Sequence, residues 1–281
     1  MNRDELKAGD FYCRLLATQH YENFTVASRF VPPAVRTDLM RVYAYCRTTD
    51  DLGDESGADA LARLARWRDE VADVFAGGAP VHPVLVALRE TIVHHALPAQ
   101  PFLDLIAANL QDQHVASYAT WAELVAYCML SAAPVGRMVL AVFGIDDASA
   151  VQLSDDVCLG LQLANFAQDV ACDAGKGRTY LIQSDLRALG VAGATRALCE
   201  RARALLQSGL ALERMAPFAL RVQLSLYRLG GLAICDAIQR AKFRTDVARP
   251  RVTRARKLTL ACRALAHASF PSGGLRRVEP A

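Results

Sequence analysis

The sequence predicts an essentially all-α protein, and three observations carry that expectation. Alanine, leucine and arginine dominate the 281 residues, a composition that favours helix. Apolar residues recur at three- and four-residue intervals along most of the chain. Few stretches show the β-branched alternation of a half-buried strand. Hydrophobic residues make up 53% of the chain and aromatic ones only 7%, which implies a large aliphatic core. No Gly/Ser-rich or Pro-rich linker and no sharp composition shift divides residues 1–281, so a single domain is expected.

The elements follow in order. The start, "MNRDELKAGD", is polar and acidic and does not read as a secretory signal. "HYENFTVASRFVPPAVRTDLMRVYAYCRTTDDLGDE" opens with a polar-aromatic cluster and reaches Pro32-Pro33, which suits a loop and a helix start. Leu39, Val42, Tyr43 and Cys46 then repeat at helical spacing. Residues 58–76 read as an amphipathic helix closed by Gly77, Gly78 and Pro80, with further helices near 82–96 and 101–115. The apolar stretch 121–143 is interrupted by Pro134 and Arg137. Its uncharged part falls short of the roughly 18 residues a membrane span needs, so a buried helix with a break is expected. "DDVCLGLQLANFAQDVACDAGKGRTYLIQSDL" predicts a long helix ending in a glycine-bearing basic loop, followed by helices over 193–215 and 217–242. From Val247 the chain is basic, with Arg249, Arg251, Arg254, Arg256 and Lys257, and its last residues read as frayed.

Bulk properties exclude several function classes. A net charge of +3 is too small to argue for nucleic-acid binding. The eight cysteines are scattered without CxxC or metal spacing, the pattern of reduced, mostly buried thiols in a cytosolic protein. The six histidines form no HExxH, with His94-His95 expected at a helix end, and there is no GxGxxG or Walker loop, so a nucleotide cofactor has no sequence support.

The chemistry sits in two acidic motifs. "RTTDDLGDE" places Asp50 and Asp54 one turn apart on one helix face, with Arg47 a turn before them. "LQLANFAQDVACD" repeats the spacing with Asp169 and Asp173. Gln162, Asn165, Asp169 and Asp173 make a polar stripe on an otherwise apolar helix. Buried carboxylates need pairing or a cation. Two such stripes facing one another across a helical cavity can hold Mg²⁺ ions that bridge a diphosphate. Salt-bridged faces are the structural alternative. Lys176 and Arg178 in "GKGRTY" offer partners for the diphosphate, and Tyr43, Tyr127 and Tyr180 are candidates to line the cavity, with simple packing as the other reading of each. A metal-bound diphosphate in an apolar cavity suits ionisation of an allylic or cyclopropylcarbinyl carbon–oxygen bond.

"YCRTTDDLGDE" and "QLANFAQDVACDAGKGRTYL" resemble the two aspartate-rich signatures of the squalene/phytoene synthase family, and the resemblance runs from about His20 to the basic tail. It implies an all-α isoprenoid synthase helical bundle around a central apolar cavity. It also implies catalytic and metal-binding roles for Asp50, Asp54, Asp169 and Asp173, with Asn165 as a further metal ligand and Tyr127 as a catalytic tyrosine. Substrate and diphosphate contacts fall by the same resemblance on His20, Phe24, Tyr43, Arg47, Gln162, Asn165, Lys176, Arg178 and Tyr180. Mg²⁺, more than one ion, is the implied cofactor, with no nucleotide.

"HYENFTVAS", "SAAPVGRMVL", "NFAQDV" and "RLGGLAICDAIQR" are most similar to the hydroxysqualene synthases of bacterial hopanoid and squalene pathways. Most members that join two prenyl diphosphates carry Ser-Phe where this chain has Asn23-Phe24, and Arg where it has Gln168. The expected reaction is therefore conversion of presqualene diphosphate to hydroxysqualene, a carbon–oxygen lyase step. Head-to-head condensation of farnesyl or geranylgeranyl diphosphate is the alternative enzyme. A non-catalytic assembly factor is a third reading, against which all four acids survive. A cytoplasmic location is expected, and the basic tail offers a peripheral contact to the inner membrane face or, equally, a solvated final helix.

Overall fold

The computed structural model describes residues 3–19 and 31–269. The expectations placed on His20, Asn23 and Phe24 lie outside the described residues. The elements are α1 (Arg3–Gln19), α2 (Pro33–Asp54), α3 (Ala60–Phe75), α4 (Pro83–His95), α5 (Gln100–Gln111), α6 (Trp121–Ser131), α7 (Ala133–Val142), α8 (Ala148–Gln168), α9 (Val170–Gly175), α10 (Gln183–Met215), α11 (Phe218–Arg240) and α12 (Arg254–Ser269). Among the described residues the β pairing is one isolated parallel bridge, Ser117 to Thr179. The all-α expectation holds.

The helix starts are written in the sequence. Pro33 and Pro83 occupy first turns, where the missing N–H removes no intrahelical bond. Thr120 and Asp147 accept from the N–H groups of Glu123 and Ala150 and so cap α6 and α8. The apolar stretch Trp121–Val142 has the length and composition of a membrane span, and half of its most apolar window is buried. It breaks at Ala132 (φ −119°, ψ −49°), and Pro134 lies in the first turn of α7 instead of ending α6. Helix 10 starts earlier than expected and kinks at Gly190.

Two apolar clusters frame the site. The first gathers Tyr45, Leu64, Trp67, Leu88, Phe102 and Ile106, from α2 to α5. Its aromatic members are locked by polar handles. The Tyr45 hydroxyl donates to the Phe102 carbonyl at 2.8 Å, and the Trp67 indole donates to Thr49 Oγ1 at 2.9 Å. Thr49 is fully buried and immediately precedes Asp50, so this packing fixes the C-terminal turns of α2. The second cluster joins α5, α6, α8, α10 and α11 through Leu124, Leu163, Leu198 and Ile238, and anchors the helix that carries the second acidic motif.

Candidate active site

A cavity of about 350 Å³ lies between the ends of α2, α5, α6 and α8 and the loop after α9. Its lining includes Arg47, Asp50, Asp54, Tyr127, Gln162, Asn165, Asp169, Asp173, Lys176, Arg178 and Tyr180, so the structure gathers eleven sequence-predicted residues. Tyr43 is not among the lining residues. It is half-buried one turn before Arg47, where burial raises its phenol pKa. The lining at this acid-bearing end is mostly polar. Its apolar portion is Ala108 and Phe166 with the rings of Tyr127 and Tyr180.

The first motif ends α2. Gly53 lies between its two acids because a side chain there would strike Asn109, whose Oδ1 would be 2.4 Å from an added Cβ. That approach lets Asn109 Nδ2 donate to Asp50 Oδ1 at 3.3 Å, and Gln113 Nε2 donate to the Gly53 carbonyl at 3.1 Å. Arg47 reaches Asp51 at 2.5 Å and Glu55 at 3.6 Å, whereas the sequence suggested Asp50 as its neighbour. Its Nε is buried without a hydrogen-bond partner.

The second motif spans a helix break that periodicity did not predict. Helix 8 stops at Gln168, Asp169 leaves helical geometry, and α9 resumes at Val170. The Ala171 N–H donates to the Thr245 carbonyl at 3.2 Å instead of to its own helix. The Asp169 and Asp173 N–H groups still bond four residues back, so the polar stripe stays in register. After α9, Gly177 adopts φ +74°, a left-handed turn that favours glycine and sends the chain back over the site. The Thr179 N–H then bonds the Ala116 carbonyl at 2.8 Å, holding Arg178 and Tyr180 in place.

The two motifs are cross-linked by charge. Arg178 Nη1 donates to Asp54 Oδ1 at 3.3 Å, and Lys176 Nζ lies 3.6 Å from Asp54 Oδ2. Arg249, from the loop between α11 and α12, pairs with Asp169 and places Nη2 3.4 Å from Gln168 Oε1. Gln168 Nε2 donates in turn to the Pro250 carbonyl at 2.6 Å. A guanidinium from 81 residues downstream thus lies beside Gln168. Among the described residues neither Asp50 nor Asp173 has a basic group within ion-pair distance. Burial, reinforced by Asp54 and Asp169 respectively, pushes both carboxyls up to about 6, although Asp50 is open to the cavity.

Asn109, Asp112, Ser131 and Arg249 were missed. Asp112 accepts from the Tyr127 hydroxyl at 2.8 Å, and burial raises its pKa. Phe166 and Tyr180 stack with centroids 3.8 Å apart, beside Tyr127 at 5.8 Å from Tyr180. Five aspartates face three basic residues among the lining side chains. That lining repels a free diphosphate unless hard cations, which prefer such oxygen donors, enter with it. The carboxylates do not converge on a single-ion cage. The trio of acidic or histidine donors found within 4.8 Å among the described residues is elsewhere, at Asp38, His94 and His95.

A sequence profile of squalene/phytoene synthases matches residues 17–256. The hydroxysqualene synthase of Rhodopseudomonas palustris is 33% identical over 220 residues, covering 76% of this chain and 75% of that protein. The phytoene synthase of Arthrospira platensis is 34% identical over 189 residues, covering 62% of this chain and 61% of its own length. The chain spans only 46% of the length of the Zea mays phytoene synthase 3 it also matches. Among solved structures, the squalene synthase HpnC of Alicyclobacillus acidocaldarius superposes with a TM-score of 0.81 and 42% identity, over 86% of this chain and 97% of that one. A ligand-bound dehydrosqualene synthase shares the fold, with a TM-score of 0.85 and 21% identity over 95% of this chain and 98% of that one.

Proposed function

This chain belongs to the squalene/phytoene synthase family, and we propose that within it the protein converts presqualene diphosphate to hydroxysqualene with Mg²⁺. The observation that carries the reading is geometric: among the described residues Asp50 and Asp173 have no basic group within ion-pair distance, yet they share one cavity with Asp54, Asp169, Arg47, Lys176 and Arg178. The hydroxysqualene synthase similar over three quarters of both chains supports the narrower assignment.

The donor set fits a hard divalent cation. Asp50, Asp54, Asp169, Asp173 and the amide oxygen of Asn165 would hold more than one such ion, divided between the two motifs, and the bound metal would neutralise the charge of a departing diphosphate. Lys176 and Arg178 bind the diphosphate oxygens, with Arg47 closing the opposite side. The faces of Tyr127, Phe166 and Tyr180 stabilise the developing carbocation. Tyr127 keeps its proton because burial raises its pKa, and its hydroxyl holds the Asp112 carboxyl in place. Asp112, on the cavity wall, takes the proton that the capturing water sheds.

Phytoene synthases at 34% identity keep a second reading alive, the head-to-head condensation of two prenyl diphosphates. The test offers purified protein with Mg²⁺ either presqualene diphosphate or farnesyl diphosphate and identifies the lipid by mass spectrometry. Hydroxysqualene from the first, with the second untouched, is the expected outcome. Consumption of farnesyl diphosphate makes the protein a condensing synthase instead.

A peripheral contact with anionic lipid at the inner membrane face, in a cytoplasmic protein, is part of the same proposal. Helix 12 buries Leu260, Ala264 and Ala268 and turns Arg254, Lys257, Leu258 and Arg263 to the surface, an amphipathic basic face suited to a lipid headgroup layer.

A further inference from the structure

Away from this cavity, the first half of α2 meets α1 and the end of α4 in a polar cluster. Arg41 bridges two carboxylates. Its Nε and Nη2 donate to Asp10 at 2.8 and 3.1 Å, and its Nη1 donates to Asp38 Oδ1 at 3.1 Å. The Thr91 hydroxyl also donates to Asp38 Oδ1, at 2.7 Å. One oxygen of Asp38 is therefore occupied within the protein. The other, Oδ2, faces two histidines, with His95 Nε2 at 2.9 Å and His94 Nδ1 at 3.9 Å. Both histidines end α4, and their rings lie 4.4 Å apart.

The charge balance calls for a cation. One guanidinium serves two carboxylates, so the cluster carries a net negative charge while the imidazoles are neutral. The carbonyl end of α4 adds further negative potential. The Asp38 side chain is 7% exposed and that of His95 14%, whereas His94 is 71% exposed and gives access from solvent.

We propose that Asp38, His94 and His95 form a binding site for a divalent transition cation of the zinc class. One carboxylate oxygen and two imidazole nitrogens supply three ligands, and the side of His94 leaves a fourth position for water. Ligand atoms of a tetrahedral zinc site stand about 3.3 Å apart, and the observed 2.9 and 3.9 Å straddle that separation. Thr91 and Arg41 already hold the carboxylate plane as outer partners of a metal ligand do. The imidazole pair selects against Mg²⁺, which separates this site chemically from the aspartate-lined cavity. It lies twelve residues before Asp50, about 18 Å along α2. A cation there ties α4 to α2, and through Arg41 to α1.

The test uses tag-free protein stripped with chelator and titrated with Co²⁺ and then Zn²⁺. One equivalent of Co²⁺ should give the visible band of tetrahedral cobalt without thiolate charge transfer, which excludes the exposed Cys172 and Cys262 as ligands. Zn²⁺ should displace it and raise the melting temperature. His94→Ala, at an exposed position that leaves the fold intact, should lower the affinity at least tenfold and abolish the thermal shift, and His95→Gln should do the same. Equal affinity in His94→Ala, a thiolate band, or no tetrahedral cobalt overturns the site and leaves an ordinary Asp38–His95 hydrogen bond.

Discussion

At the scale of single residues, the raised carboxyls of Asp50 and Asp173 make a pH prediction whose sign is fixed. Their folded pKa of about 6 lies above the value of 3.8 expected of an unperturbed aspartate. Between those values the folded chain binds more protons than the unfolded one, so these groups remove stability as pH rises from about 4 to 6. Melting of wild type and of Asp50→Asn/Asp173→Asn in chelator should diverge across that window, with wild type losing more. Parallel curves would refute the raised values. Gly53→Ala separates function from folding. Alanine gains about 1 kcal/mol in helix propensity, which offsets the displacement of Asn109, so stability should stay near wild type. Turnover should fall about tenfold as Asp50 loses its orienting amide, an effect of the size of one hydrogen bond. The place of four acids and of the stripe from Gln162 to Asp173 on the cavity wall was legible because carboxylates at helical spacing amid apolar residues are conspicuous. Asn109 and Asp112 were not. They meet the site across tertiary distance from a helix whose own pattern is unremarked, and Arg249 was visible only as one arginine among several in a basic tail.

At the scale of elements, periodicity located most helices but could not see where one opens. The break after Gln168 arises because Ala171 finds a carbonyl on a distant loop, an event with no local signature. Pro134 misled in the opposite sense, because it marks the first turn of α7 and the chain had already broken at Ala132. The loop that answers Ala171 also carries Pro250 and Arg249, so Gln168 clasps the same segment that pairs with Asp169. Gln168→Ala should expose residues 244–252 to limited proteolysis and raise KM for the diphosphate substrate several-fold, while the thermal melt changes little. An unchanged cleavage pattern would show that the clasp is dispensable. Helix 2 is held at its functional end by Thr49. Thr49→Val keeps the shape but leaves the Trp67 N–H buried without an acceptor, for which we expect a loss of about 1–3 kcal/mol in denaturant melts.

At the scale of the whole molecule, composition correctly gave an α-helical protein with a large aliphatic core, because alanine- and leucine-rich periodicity reports burial directly. The polar character of the mapped cavity was harder to foresee, since it depends on which side chains from separate helices converge. The basic surface of α12 belongs to this scale too. Co-sedimentation with vesicles containing anionic lipid should occur at low salt and fall steeply above physiological ionic strength. Binding that ignores salt, or vesicle charge, would assign that face to solvent. The pairing of Lys176 and Arg178 with Asp54, and of Arg249 with Asp169, has a consequence for loading. The resting cavity behaves as a half-loaded ion exchanger: Lys176, Arg178 and Arg249 already satisfy Asp54 and Asp169, while Asp50 and Asp173 stand open to a cation. A diphosphate alone must evict a carboxylate from Lys176 and Arg178, and a divalent cation that reaches Asp54 or Asp169 must evict a guanidinium or an ammonium. Arriving together they exchange all the partners at once, so each should tighten the binding of the other by the same factor.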